Sequence, residues 1–171
     1  MSESKTETAE APIKKRELSQ AALAEFEALV PRYAKREATL LPLLRIIERE
    51  FGCIDHGGML TAAELVGVSP AKVLGVVTFY THYKRETDGK HVVEICRTLP
   101  CALRGADKLA AHAQDKLGIK FGETTEDGRI TLKAVECLAA CGYGPCMQID
   151  GRYHENLTLK SFDEIVEKLQ G

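Results

Sequence analysis

Two close cysteine pairs constrain this chain more than any other feature. Cys96 and Cys101 are separated by four residues, Cys137 and Cys141 by three, and 35 residues lie between the pairs. Of the remaining two cysteines, Cys53 stands alone and Cys146 follows the second pair, five residues past Cys141. The segment Met1 to Glu10 is polar and acidic and carries no apolar core of a secretory signal. The chain is therefore expected in the cytoplasm, where thiols stay reduced, and its cysteines read as metal ligands, catalytic groups or core residues before structural disulfides.

A fold that brings the pairs together makes a four-thiolate site. Thiolates are soft ligands that select zinc or iron–sulfur clusters over magnesium or calcium. Structural zinc knuckles most often have two residues between paired cysteines, although up to four are accepted. Two-iron clusters also use four cysteines, and the plant-type spacing includes a four-residue gap. The wider gaps here suit two irons, each gripped by one pair, but spacing alone leaves zinc and unbound thiols open. The neighbours favour the cluster. Both pairs fall where strands are expected to end, in loops containing Pro100, Gly142, Gly144 and Pro145. Loops of that kind can aim backbone N–H groups at sulfur and stabilise added negative charge. Arg97 and Arg104 are placed to offset that charge, or else are solvated surface groups.

Composition narrows the alternatives. The 23 Lys and Arg residues against 25 Asp and Glu leave a net charge of −2, which supplies no basic field for nucleic acid. Hydrophobic residues make up 44% and charged residues 28%, which argues against global disorder. No uninterrupted apolar run approaches the ~18 residues of a membrane span, so direct membrane insertion is not expected. The densest runs, Leu40–Leu44 and Val73–Val77, are interrupted by Pro42 and Gly75.

Periodicity divides the chain. Residues 1–17 read as a flexible, solvated tail. Residues 18–88 read as a helical domain: a helix capped by Ser19 and stopped by Pro31, a second from Arg36 to Phe51, a short one over Thr61–Val66, and a fourth opened by Ser69-Pro70. Residues 89–171 read as a small α/β domain, the whole being α+β. It has a strand over His91–Cys96, a helix over Ala102–Leu117, and an ambiguous segment near Ile130–Val135. Two short strands then meet at Asp150-Gly151, and a final helix over Leu157–Leu169 takes Ser161 as its cap.

The other candidate chemistries are weak. Five scattered histidines lack the spacing of a helical metal pair, Gly57-Gly58 suits a turn better than a phosphate cradle, and no C-x-x-C redox pair is present. Cys53 reads as a small buried apolar group. Cys146, five residues past Cys141, reads as a strand residue facing the core, with lining of the metal pocket as the alternative.

With these residues assembled, the chain resembles the small, E-type iron–sulfur subunit of the NADH-oxidising module of respiratory complex I, the NADH:quinone oxidoreductase. The matching residues are Gly75-Val76-Val77-Thr78-Phe79-Tyr80, Cys96 through Cys101-Ala102-Leu103-Arg104-Gly105, Gly122-Glu123-Thr124-Thr125, Val135-Glu136-Cys137-Leu138-Ala139-Ala140-Cys141, Gln148-Ile149 and Glu155-Asn156-Leu157-Thr158. The resemblance implies a helical N-terminal domain followed by a thioredoxin-like domain holding one [2Fe–2S] cluster through Cys96, Cys101, Cys137 and Cys141. It also implies an F-type flavoprotein partner that binds FMN and NADH, larger iron–sulfur subunits in the same complex, and no self-contained catalytic site in this chain. Attachment to the cytoplasmic side of the membrane would then come through the complex. Two residues depart from the family pattern: Ala139 stands where glycine is usual, and Cys146 where an aliphatic residue is usual. The same module is reused in NAD-reducing hydrogenases, NAD-linked formate dehydrogenases and electron-bifurcating enzymes. Outside that class, a zinc-stabilised interaction module and a thiol oxidoreductase are the competing expectations.

Overall fold

Ser19 opens the first helix, α1 (Gln20–Leu29), by accepting a hydrogen bond from the Ala22 N–H at 3.2 Å. The computed structural model describes residues 14–170, so most of the expected tail lies outside the described residues. Pro31 converts the end of α1 into a single 3-10 turn, Val30–Arg32. A second 3-10 turn, Arg36–Thr39, leads into α2 (Leu40–Phe51). The sequence expectation of one helix from Arg36 is thus corrected to a turn plus a helix, because Pro42 needs a first-turn position where its missing N–H has no intrahelical partner. Gly52, with φ of 80°, ends α2.

The next helix, α3 (His56–Val66), starts five residues earlier than its apolar pattern suggests, because Asp55 accepts from the Gly58 N–H at 2.7 Å and caps it. Gly57 and Gly58 therefore occupy the first turn of a buried helix rather than a loop. A Cβ at Gly57 would lie 2.7 Å from the Lys14 carbonyl oxygen, and one at Gly58 would lie 2.9 Å from Ile47 Cγ2. The close approach at Gly57 lets residues 14–17 run along α3. The Arg16 Nε donates to Asp55 at 2.6 Å, its N–H donates to the Gly57 carbonyl, and its own carbonyl accepts from the Thr61 hydroxyl. Residues 14–17, expected to continue the solvated tail, are held by these bonds. Ser69 then caps α4 (Pro70–Phe79) through the Lys72 N–H.

These four helices bury one core around Phe26, Leu43, Leu44, Ile47, Val73, Val77 and Tyr83. The helices are 10 to 12 residues long. Isolated helices of that length are marginal in water, so this shared core is what stabilises them.

The chain divides between Arg85 and Glu86 into two compact units. The second unit is built on a four-stranded sheet of order β2-β1-β3-β4, comprising β1 (His91–Cys96), β2 (Ile130–Val135), β3 (Met147–Ile149) and β4 (Arg152–His154). β1 pairs parallel with β2, placing Cys96 opposite Val135, and antiparallel with β3. A parallel pair needs a crossover, which α5 (Leu99–Leu103) and α6 (Ala106–Leu117) supply. The single helix expected over Ala102–Leu117 is broken at Gly105, whose φ of 99° an L-residue side chain disfavours. Asp150 (φ 50°) and Gly151 (φ 81°) make the turn between β3 and β4 that their dipeptide announces.

The last helix, α7 (Leu159–Gln170), is capped by a reciprocal pair. The Thr158 N–H donates to the Ser161 hydroxyl, and the Ser161 N–H donates to the Thr158 hydroxyl. The cap thus shifts from Ser161 alone to a Thr158–Ser161 exchange. Val93 and Ile95 of β1 share a core with Leu109, Ala113 and Leu117 of α6 and with Phe162 and Val166 of α7. His112 bonds Asp163 at 2.7 Å across the two helices. Among the described residues, no single helix is long and apolar enough to cross a membrane.

Candidate metal centre

Cys96 is the last residue of β1 and Cys101 lies within α5; both are buried, each 1% exposed. Pro100 in the first turn of α5 allows the chain to leave β1 and enter a helix within four residues, which sets the separation of the pair. Cys137 lies two residues past β2, and Cys141 opens the 3-10 turn Cys141–Tyr143; both are exposed. Parallel pairing of β1 with β2 ends both strands at the same edge, so the two cysteine loops emerge side by side. The Arg97 N–H donates to the Val135 carbonyl at 3.0 Å, tying the loops together at their roots.

A backbone donor reaches sulfur in the second loop, and a side-chain hydroxyl does so in the first. The Ala139 N–H donates to Cys137 Sγ at 3.2 Å. The Thr98 hydroxyl lies 3.2 Å from Cys96 Sγ. Burial pushes the Cys96 thiol up, but the hydrogen bonds from Thr98 and Leu138 outweigh it and bring the pKa down to about 7. Burial, with the neighbouring Cys96, pushes the Cys101 thiol up. Of the two, only Cys96 is shifted toward thiolate, the form that binds metal.

The loop after Cys141 is held from three sides. Arg104 Nε donates to the Gly144 carbonyl at 2.6 Å, the Asn156 N–H donates to the Tyr143 carbonyl at 2.7 Å, and the Leu157 N–H donates to the Pro145 carbonyl at 3.0 Å. The Tyr153 hydroxyl donates to the Leu138 carbonyl at 2.8 Å. Gly144 packs closely here: a Cβ there would sit 3.1 Å from Cys101 Sγ, a tight contact. Arg97 stacks its guanidinium 5.8 Å from the Phe121 ring centroid. Both arginines expected near the cysteine loops therefore have structural contacts as well.

The structure brings three thiols closest together, and they are not the four that spacing picks out. The Sγ atoms of Cys96, Cys101 and Cys146 all lie within 4.8 Å of one another. Cys146 is fully buried immediately before β3, its sulfur 3.8 Å from Cys101 Sγ, and its carbonyl accepts from the Cys96 N–H at 3.2 Å. It is a core residue that packs beside Cys96 and Cys101. The only sequence signal for this was its short distance from Cys141. Cys53 is half-buried in the first unit, and none of the six cysteines is in a disulfide.

Residues 26–170 match the thioredoxin-like [2Fe-2S] ferredoxin family. The chain belongs to that family. It is 36% identical over 146 residues to the NADH-quinone oxidoreductase E-type subunit 2 of Rhizobium meliloti, covering 85% of this chain and 87% of that one. It is 34% identical to the NADH-quinone oxidoreductase E-type subunit of Mycobacterium bovis, again over 85% of this chain but only 58% of the longer relative. Among solved structures, an NAD+-reducing [NiFe]-hydrogenase in the air-oxidised state superposes with a TM-score of 0.66 at 18% identity, covering 74% of this chain and 22% of the hydrogenase chain. That last likeness is one of fold. The donor set fits the family's cofactor, one [2Fe–2S] cluster: soft thiols, two of them buried, sit on adjacent loops, and the Ala139 N–H already points at sulfur.

Proposed function

We propose that this chain is the electron-transfer subunit of the NADH-oxidising module of an NADH:quinone oxidoreductase, with Cys96, Cys101, Cys137 and Cys141 as the ligands of its [2Fe–2S] cluster. The observation that supports the ligand assignment is the parallel pairing of β1 with β2, closed by the Arg97 N–H to Val135 carbonyl bond, which brings both cysteine loops out side by side. The bound cluster supplies one-electron redox chemistry. The protein positions the thiolates, directs N–H groups toward sulfur and excludes water from Cys96 and Cys101. The names of the curated relatives support the host assignment. In this reading the chain docks on a flavoprotein that carries FMN and NADH, with larger iron–sulfur subunits beyond it, on the cytoplasmic side of the membrane.

Residues 18–88 form the docking domain and residues 89–171 the cluster domain. On α4 and just beyond it, Leu74, Phe79 and Tyr80 remain exposed, Phe79 to 76%. An apolar aromatic of that exposure suits a permanent protein contact.

The test is to isolate the assembly through a tag on this chain and add NADH anaerobically. A co-purifying flavoprotein, and a two-iron EPR signal assigned to this chain by isotope labelling, are the expected results. Co-purification with hydrogenase or formate dehydrogenase subunits would move the chain to a different host. A zinc-stripped chain that takes up no iron and sulfide on reconstitution would refute the electron-transfer role.

A further inference from the structure

We propose that Cys96, Cys101 and Cys146 form a three-thiolate site that binds one zinc(II) ion when the chain lacks its iron–sulfur cluster. These three are the described residues whose ligand atoms converge, all within 4.8 Å of one another. Two thiolates each about 2.3 Å from a tetrahedral zinc lie about 3.8 Å apart, which is the measured separation of Cys101 and Cys146 Sγ. The three come from separate, well-anchored pieces: the end of β1, the middle of α5 and the residue preceding β3. The Cys96 N–H to Cys146 carbonyl bond fixes two of those backbones relative to each other. All three residues are at most 1% exposed. Cys137 and Cys141 lie on the exposed loops and are not needed.

The thiols entering coordination release their protons to solvent, and the fourth tetrahedral position is left to water. Zinc at this site engages Cys96 and Cys101 and so excludes the cluster. That competition, unlike the zinc site itself, rests on the ligand assignment proposed above.

The experiment uses the full chain, stripped of iron and kept reduced, titrated with zinc against a chromophoric chelator. Cobalt(II) serves as a spectroscopic probe through its thiolate charge-transfer band. The expected result is one equivalent of zinc, weakened at least tenfold by Cys146→Ser and changed less than twofold by Cys137→Ser or Cys141→Ser. Cys146→Val, which preserves an apolar core, should lose the same affinity while keeping its circular dichroism spectrum. Undiminished zinc affinity in both Cys146 variants overturns the proposal, as does an equal loss in Cys137→Ser. Reconstitution of Cys146→Ser with iron and sulfide separates the two readings. A full cluster there leaves the four-cysteine assignment intact whatever zinc does, and a lost cluster refutes that assignment alone.

Discussion

Ala139 donates its N–H to Cys137 Sγ at 3.2 Å while holding a φ of 58°. The conformation that aims this donor at sulfur is one that a residue with a Cβ resists. An L-residue in the left-handed region is disfavoured by ~1–2 kcal/mol, whereas glycine there loses only ~0.5–1 kcal/mol of extra chain entropy. Ala139→Gly is therefore expected to stabilise the second unit by about 1 kcal/mol, raising Tm by a few degrees at this chain length. Thermal unfolding of the cluster-loaded protein checks it. An unchanged or lower Tm would show that the loop is not strained at this position.

Arg97 follows Cys96 directly, and Arg104 clamps the Gly144 carbonyl behind Cys141. A reduced cluster carries one more negative charge, which nearby cations stabilise. Replacing both arginines with glutamine is expected to lower the midpoint potential in a redox titration. Because Arg104 also holds the loop, Arg97→Gln alone should shift the potential in the same direction without broadening the EPR signal. No shift in either variant sinks the electrostatic role.

Tyr83 tests the packing of the first unit. It is 2% exposed and its hydroxyl donates to the Leu41 carbonyl at 3.0 Å. Burial, only partly offset by the nearby Arg45 charge, pushes its pKa up to about 12 from an ordinary 10.0. The native state therefore keeps a proton that the unfolded chain loses above pH 10, so this residue's contribution falls as pH rises from about 10 to about 12. Tyr83→Phe should cost ~1 kcal/mol near neutrality, the net value of a hydrogen bond, and flatten the alkaline decline in stability. Denaturant unfolding of both proteins between neutral and alkaline pH checks the two effects together. An alkaline slope unchanged in Tyr83→Phe would assign the decline to other groups.

Local chemistry made several of these features readable from the amino-acid order. Ser19 and Ser69 cap the helices they precede, and Asp150-Gly151 turns the hairpin, because each acts through its own backbone or the next few residues. The strand-end position of the first cysteine loop followed in the same way from the β-type run into Cys96. What stayed hidden depends on partners far away in sequence. Gly57 reads as a turn residue until the Lys14 carbonyl is seen to lie against it. The apolar pattern of α6 runs straight through Gly105, although the chain breaks there between α5 and α6. Cys146 looks like one more core position, and only the antiparallel pairing of β1 with β3 carries its sulfur to Cys101.

The central claim is that four thiolates, Cys96, Cys101, Cys137 and Cys141, hold one two-iron cluster. Iron and acid-labile sulfide analysis of the anaerobically purified chain, with EPR after dithionite reduction, tests it most directly when Cys137→Ser and Cys53→Ser are measured alongside. The account predicts two irons and two sulfides per chain with a rhombic signal, retained in Cys53→Ser and weakened or lost in Cys137→Ser. A full, unaltered signal in Cys137→Ser, or a zinc-free parent chain that assembles no two-iron cluster on reconstitution with iron and sulfide, would contradict it.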